Sequence, residues 1–143
     1  MSQAMPPVAR RPTGRLLLTG ALLLLAGCPA QEPHYQGRPL SHWMEDLSNP
    51  SSTARMRAAH AVGQIVPEGR KAIPILIRLL DDKAHLVRWA AASSLERFGT
   101  DSRDALPALE KLAKNDPEPS VRDAAGSAVR SIRMVVEHLG AGR

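Results

Sequence analysis

An internal repeat of 33 to 34 residues constrains this chain more than any other feature. Residues 87–98 read VRWAAASSLERF, and 34 positions later residues 121–132 read VRDAAGSAVRSI. Residues 54–65, 33 positions earlier, read ARMRAAHAVGQI. A second kind of segment, AIPILIRLL at 72–80, returns as ALPALEKLA at 105–113, again 33 positions later. Repetition at this period is typical of stacked helical arrays, in which no unit can bury its apolar face alone.

Each repeat is predicted to be a pair of helices joined by a turn at residues 99–102. In the first helix, small and apolar side chains recur at spacings of three and four, which places them on one face; they are Val87, Ala91, Ser94, Leu95 and Phe98. The second helix is expected to open at Asp104, shortly before Pro107, whose missing N–H is harmless in a first helical turn. Its predicted buried stripe consists of Leu106, Leu109, Leu112 and Ala113.

The repeated pattern D-x-x-x-x-V-R-x-x-A-A-x-x-[AS]-[LV], followed by a Leu-rich helix that contains Pro, resembles the HEAT repeat. It is close to the variety found in bilin-lyase-type and many bacterial repeat proteins. The resemblance covers roughly residues 40 to 132, in three aligned units. The fold class predicted is therefore all-α, a short α-solenoid of HEAT-like helical hairpins. The resemblance implies protein binding as the activity, with the second helices lining the concave face.

The repeat domain is expected to span residues 40–143. It would consist of a half-unit at 40–49, complete units at 50–82 and 83–116, and a partial unit at 117–139. In the half-unit, Ser41 is the predicted N-cap of a helix running from His42 to Leu47 or Ser48, and Trp43 is expected to cover the open end of the array.

The last unit departs from the pattern because no turn follows residue 132. The sequence continues without a break to Gly140, which predicts one long helix of about twenty residues without a second helix. Val135, Val136 and Leu139 extend its apolar stripe. We expect this helix to be an interface with a copy of itself or with a partner protein. The alternative is that residues 135–139 fold back and cap the second unit.

The N-terminal 27 residues are typical of a signal peptide, with a basic start and an apolar run too short to span a bilayer as a helix. The run ends in Leu-Ala-Gly-Cys at residues 25–28, which resembles the bacterial lipobox, so Cys28 is the predicted site of lipid attachment. The alternative is an ordinary secretory peptide with an incidental cysteine. Residues 28–39 are rich in Pro and Gly, and a tether without regular structure is predicted there. The predicted location is the bacterial cell envelope, with the lipid in the inner or outer membrane.

The charge balance argues against binding to nucleic acid. Three of the 19 Lys and Arg residues lie before Cys28, so the remainder carries 16 of them against 14 Asp and Glu. No cluster of basic residues of the kind that contacts phosphates occurs in that remainder. A single cysteine also leaves no internal disulfide possible.

No catalytic set, cofactor site or metal site is predicted. The five histidines lack the i,i+4 pairing and the nearby cysteine of common metal sites. Asp81, Asp82, Asp101 and Asp104 fall in turns or first helical turns, where carboxylates cap helices and complement their dipoles.

A repeated polar pair has two interpretations. Arg55, Arg88 and Arg122 each follow an Asn or Asp by six residues; these are Asn49, Asp82 and Asp116. Such pairs suit the binding of an acidic ligand. The same spacing also suits a structural ladder, in which each Asx side chain caps one helix and accepts from the Arg of a neighbouring unit.

A candidate contact surface lies on the predicted second helices. Its members occupy equivalent positions that point away from the buried stripe, and they are His42, Glu45, Ile75, Arg78, Ala108 and Lys111. An ordinary solvated face is the alternative.

Together these features predict a membrane-tethered, non-enzymatic module for protein–protein interaction. A bilin-lyase-like enzyme subunit is one alternative, although export separates the chain from cytoplasmic bilin chemistry. A self-associating structural protein of the envelope is the other.

Overall fold

The computed structural model of the chain describes residues 31–140, which form six α-helices preceded by a small β-hairpin. The predicted signal peptide and Cys28 lie outside the described residues. Strands β1 and β2 are followed by helices α1 to α6, with a 3-10 helix before α3 and another before α5. Their bounds are β1 His34–Tyr35, β2 Arg38–Pro39, α1 Leu40–Asp46, α2 Ser52–Gln64, α3 Ile73–Leu79, α4 His85–Phe98, α5 Leu106–Asn115 and α6 Pro119–Gly140, with the 3-10 helices at Glu68–Ala72 and Gly99–Ala105.

The helices pack as the predicted all-α solenoid. The first helices of successive units lie side by side, α2 against α4 and α4 against α6. The others pack across this row, α1 on α2, α3 on α4 and α5 on α6. The second helix of each predicted unit therefore packs chiefly on the first helix of the next unit. As a result, α4 and α5 cover the apolar stripe of α6.

Small side chains let the first helices approach closely. Ala58, Ala59 and Ala90 to Ala92 have no exposed surface, and Leu95 is fully buried among them. A Cβ atom at Gly63 would overlap the Ser94 side chain of the next helix, so this position requires glycine. Here Ser94 Oγ donates to the carbonyl oxygen of Ala59 across 2.7 Å. Because the chain has few aromatic residues, its core is filled by closely packed helices whose facing side chains are mostly alanine.

The predicted turn after α4 is a 3-10 helix, Gly99–Ala105, which begins at a left-handed Gly99 with φ of +55°. Asp104 lies within this 3-10 helix, so the prediction that it opens the second helix is wrong. The α-helix begins two residues later at Leu106, and Pro107 lies in its first turn as predicted. An i→i+3 turn at this point satisfies backbone groups that an abrupt turn would leave unbonded.

The prediction of irregular structure is wrong for residues 34–39. His34 pairs with Pro39 and Tyr35 with Arg38 in an antiparallel hairpin. Its two-residue turn places both Gln36 and Gly37 at positive φ, +50° and +72°, as tight hairpins prefer. The hairpin is joined to α1, because Leu40 N–H donates to the carbonyl oxygen of Pro33.

The predicted cap at Ser41 is also wrong. Helix α1 begins at Leu40, and its N-cap residue is Pro39, whose side chain makes no capping hydrogen bond. Instead, the backbone N–H and the hydroxyl of Ser41 both donate to the carboxylate of Glu32. The hairpin brings Glu32 beside the first turn of α1, so a residue nine positions earlier satisfies the donor that an N-cap side chain usually satisfies.

The last helix, α6, has the expected length of about twenty residues, since it extends over 22. Val121, Ala125, Ala128, Val129 and Ile132 are buried against the rest of the array. Beyond them the helix continues without a break and its apolar side chains are exposed, so it does not fold back over the second unit. Within residues 31–140, no helix has both the length and the apolar character needed to cross a bilayer.

Candidate protein-binding site

Arg88 of α4 forms an ion pair with Asp116, the aspartate that precedes the next first helix, α6. Its Nε and Nη2 atoms donate to the two carboxylate oxygens of Asp116, at 2.7 and 2.9 Å. Its Nη1 atom donates to the carbonyl oxygens of Asp82 and Lys83, which precede its own helix. The Asp116 carboxylate also accepts from the backbone N–H of Glu118, at the start of α6. One guanidinium thereby joins the start of its own helix to the start of the next.

Arg55 of α2 repeats this arrangement one unit earlier. Its Nε and Nη2 atoms donate to the carboxylate of Asp82 at 2.7 and 3.0 Å, and its Nη1 donates to the carbonyl oxygens of Asn49 and Pro50. Asp82 in turn accepts from the backbone N–H of Ala84. The structure thus shows the structural ladder for Arg55 and Arg88, because the acceptors that an acidic ligand would supply come from the chain itself.

The ladder holds its carboxylates ionised. The hydrogen bond from Arg88 lowers the pKa of Asp116 below its ordinary value, and this effect exceeds the opposing effect of burial. Burial acts to raise the pKa of Asp82, but the hydrogen bonds from Arg55 and the Ala84 N–H, together with the charges of Arg55 and Arg88, outweigh it, so this pKa is also lowered. The side chains of Asp116 and Arg88 are 2% and 11% exposed, so water weakens this pair little.

The concave ridge predicted from the sequence lies on α1, α3 and α5. Glu45, Arg78 and Lys111 are exposed, whereas His42, Ile75 and Ala108 are half-buried. A groove of about 360 Å³ near the starts of α4 and α6 includes Ala108 and Lys111 in its lining, together with Leu80, Asp81 and Leu112. Lys111 Nζ lies 4.0 Å from the Asp81 carboxylate across this groove. The structure therefore brings two of the six ridge residues into one groove, and the other four lie outside its lining.

A larger cavity at the N-terminal end was missed by the sequence analysis. It has a volume of about 540 Å³ and lies between the β-hairpin, α1 and α2. Tyr35, Trp43 and His60 contribute aromatic rings, and Arg38 and Asp46 contribute charges. Trp43 Nε1 donates to the carbonyl oxygen of Tyr35. The prediction of an irregular tether at residues 28–39 left out the hairpin that forms one wall of this cavity. Gln36-Gly37 between Tyr35 and Arg38 is a sequence signal for that hairpin.

The predicted interface residues of α6 form an exposed apolar patch at its end. Val135, Val136 and Leu139 are 43%, 36% and 60% exposed, and the neighbouring Met134 is 59% exposed. Spacings of three and four continue the stripe that is buried up to Ile132. The patch consequently projects beyond the packed array.

The repeated geometry agrees with a comparison to known families. The family of HEAT repeats matches residues 40–130, which include every helix-to-helix contact of the ladder. The chain belongs to the HEAT-repeat family.

One relative of this HEAT-repeat protein is the uncharacterized protein SkfG of Bacillus subtilis (strain 168), which is 33% identical over 94 residues. The match covers 66% of this chain and 53% of SkfG, so the chain spans about half the length of that relative.

HEAT repeats are commonly scaffolds for protein–protein interaction, and stacked repeats provide extended concave surfaces for it. Within the part of the chain that the structure describes, no three His, Cys, Asp or Glu side chains are grouped so that they could hold a metal ion. The ionisable groups with shifted pKa values belong to the ladder, where each shift has a structural cause.

Proposed function

We propose that this HEAT-repeat protein is a membrane-tethered, non-enzymatic module that binds another protein in the bacterial cell envelope. The repeat family and the solenoid of residues 31–140 support the binding part of this proposal. The observation that carries it is the side-by-side row of α2, α4 and α6 held in register by the Arg–Asp ladder. A rigid row of this kind keeps α1, α3 and α5 at regular positions, which suits an extended contact surface.

The groove beside Lys111 is the proposed centre of the concave contact. Its walls combine apolar Leu80, Ala108 and Leu112 with the charges of Lys111 and Asp81. An apolar floor with a few charged groups at its edge is the usual composition of a protein-binding surface. His42, Glu45, Ile75 and Arg78 extend this surface along α1 and α3.

The tether part rests on the residues 25–28, Leu-Ala-Gly-Cys, with lipid on Cys28. Because Glu32 is already bonded to Ser41 of α1, three residues separate Cys28 from the folded domain. The four Cα–Cα steps from Cys28 to Glu32 reach at most about 14 Å, so the proposed anchor would hold the start of the array close to the membrane surface.

Substitution of Cys28 tests the tether. Cys28→Ser is expected to release the protein from the membrane fraction, because the thiol that carries the lipid is lost, while the helical circular dichroism signal stays the same. Fractionation of cells and the mature mass by mass spectrometry provide the measurement. Membrane retention of the variant with an unchanged mature mass would contradict lipid attachment at this residue.

Self-association is a second candidate function, because the exposed patch at Met134, Val135, Val136 and Leu139 is apolar and lies at the end of the array. Patches of this kind on a solenoid end promote association when no polar cap covers them. The mass of the protein in solution distinguishes the two functions.

A further inference from the structure

Arg122 at the last position of the ladder presents an unfilled carboxylate site. Its Nη1 atom donates to the carbonyl oxygens of Asp116 and Pro117, at 2.7 and 3.1 Å. This is the same anchoring that holds Arg55 and Arg88 against the starts of their own helices. In those two residues, Nε and Nη2 then bind the Asp that precedes the next first helix of the array. Among residues 31–140, no carboxylate lies at ion-pair distance from Arg122.

The stripe that continues from Arg122 along α6, called here the basic face, contains a second arginine, Arg130, and the carboxylates of α6 are the exposed Asp123 and Glu137. Alignment of the units places Arg130 at the position of Glu96, whose carboxylate accepts from Ser127 and Ser131 of the following first helix. A groove of about 280 Å³ between α5 and α6 adjoins it, with Lys114, Arg130 and Arg133 as its cationic members. Glu110 is the carboxylate in this groove, and it accepts a hydrogen bond from Arg133. Small Gly126 lies between Arg122 and Arg130, where α4 has the fully buried Ala92 under α6.

We propose that this face binds an acidic α-helix of a partner protein, which occupies the place of the next first helix of the array. An aspartate just before that helix would take both open donors of Arg122 in the way that Asp116 takes those of Arg88. Bidentate pairs of this type combine charge with fixed geometry, so they select a carboxylate over a neutral acceptor. The proposal rests on the protein-binding function proposed above, and it names the face and the chemistry of the partner.

The array predicts the spacing of the acidic residues in the partner helix. Ser127 and Ser131, whose hydroxyls donate to Glu96, follow Asp116 by 11 and 15 residues. In a helix that docks on α6 in the same register, the residues 11 and 15 positions after its aspartate would lie opposite Arg130. Arg130 is a cation at the position where α4 has the anion Glu96. Hydrogen-bond acceptors, Glu in particular, would therefore replace the two serine donors in the partner helix.

A second copy of this chain does not offer the required chemistry. In a head-to-tail stack, its α2 would lie on α6, yet Ser52–Gln64 contains no Asp or Glu. The residue equivalent to Asp82 and Asp116 would be Asn49, whose Nδ2 donates to Asp46 and whose Oδ1 accepts from the Ser51 N–H. The charge of the face therefore favours a different protein.

A pair of synthetic peptides tests this inference. The probe is an 18-residue helical peptide with Asp at position 1, Glu at positions 12 and 16, and Ala and Leu on the adjoining face. The control peptide carries Asn and Gln at those three positions. Titration into the full chain in detergent, followed by fluorescence anisotropy, should show binding of the acidic peptide and at least about tenfold weaker binding of the control, the range expected for charge-assisted hydrogen bonds.

Three variants locate the binding. Arg122→Gln should weaken binding of the acidic peptide by about tenfold or more, because the bidentate pair is lost. Arg130→Gln should weaken it less, and this side chain is exposed, so the fold does not depend on it. Arg103→Gln, at an exposed Arg of the second 3-10 helix, is the matched control and should change nothing. Equal affinity for both peptides, or full affinity of Arg122→Gln and Arg130→Gln, would overturn the proposal, as would binding of anionic phosphatidylglycerol vesicles without binding of the peptide.

Photo-crosslinking in cells separates this inference from the proposed function. A crosslinking amino acid at Lys114 lies beside the basic face, and one at Arg78 lies on the concave ridge. A protein captured from position 114, and lost when Arg122→Gln is added, supports the inference. Capture from position 78 alone overturns the inference and leaves the binding function intact. Capture from neither position contradicts both.

Discussion

The two ends of the array are finished in different ways. At the start, α1 packs on α2, the Tyr35 ring of the hairpin lies edge-on to His60 of α2, and Trp43 is 5% exposed with its indole N–H bonded to the carbonyl oxygen of Tyr35. At the other end, α6 has one covered face, Arg122 has open donors, and the last apolar side chains are exposed. A repeat helix is thus stable with one face buried, and its second face becomes either a cap or a surface for binding.

The largest effect should come from the covered end. Trp43→Ala is expected to lower the free energy of unfolding by about 3 to 5 kcal/mol, because it removes a buried indole and enlarges the cavity between the hairpin, α1 and α2. Trp89→Ala is the matched control, since Trp89 is 38% exposed and should cost far less. Urea unfolding followed by circular dichroism measures both. Equal losses would mean that Trp43 does not close the array.

Comparison of two ladder positions gives the next effect. Arg88→Gln leaves the buried Asp116 carboxylate without its cation and should cost about 3 kcal/mol. Arg122→Gln removes hydrogen bonds to two carbonyl oxygens but leaves no carboxylate unpaired, so about 1 kcal/mol is expected. Thermal or urea unfolding decides between them, and similar costs would contradict the view that Arg122 is the open end of the ladder.

Acid should weaken the interior of the ladder. The pKa values of Asp82 and Asp116 are lowered in the folded protein from their ordinary value of 3.8. The stability they provide is present above that value and is lost as the pH falls through the lowered folded pKa values. The free energy of unfolding should therefore decline below about pH 4, and it should decline less steeply in Asp116→Asn.

The exposed Asp104 offers the control for this pH dependence. Its side chain is 87% exposed, so Asp104→Asn should keep the acid slope of the original protein. An identical slope in Asp116→Asn would show that the ladder carboxylate does not contribute to acid unfolding.

The smallest effect on stability is expected at the end of α6. Val136→Glu combined with Leu139→Glu should change the free energy of unfolding by less than about 0.5 kcal/mol, because both side chains are exposed. If the patch mediates self-association, the mass measured by light scattering should fall from a larger species to the monomer. Leu86→Glu, at an exposed Leu of α4, should leave the mass unchanged. If the wild-type protein is already monomeric at high concentration, self-association is contradicted.

Much of the fold was predictable because the repeat carries its own evidence. The spacing of Val87, Leu95 and Phe98 predicts a helix with one buried face, and all three side chains are buried. The start of the chain's folded part was not predictable in the same way, because it occurs once and has no second copy to compare. Glu32 and Tyr35 acquire their roles through contacts with Ser41 and Trp43, eight or nine residues away.

The sequence by itself determined the helical repeat and its period. It also determined the offset of six residues that recurs between each Asn or Asp and its Arg. That offset reflects local geometry, because the guanidinium of an Arg in the first turns of a helix reaches the carbonyl oxygen of the residue six positions earlier, just before the helix begins. Tertiary structure decided which carboxylate each guanidinium binds, because Arg88 and Asp116 are 28 residues apart and meet only after α4 and α6 pack. It also decided that, among residues 31–140, the guanidinium of Arg122 bonds two carbonyl oxygens and no carboxylate, because no Asp or Glu side chain packs within ion-pair distance of it.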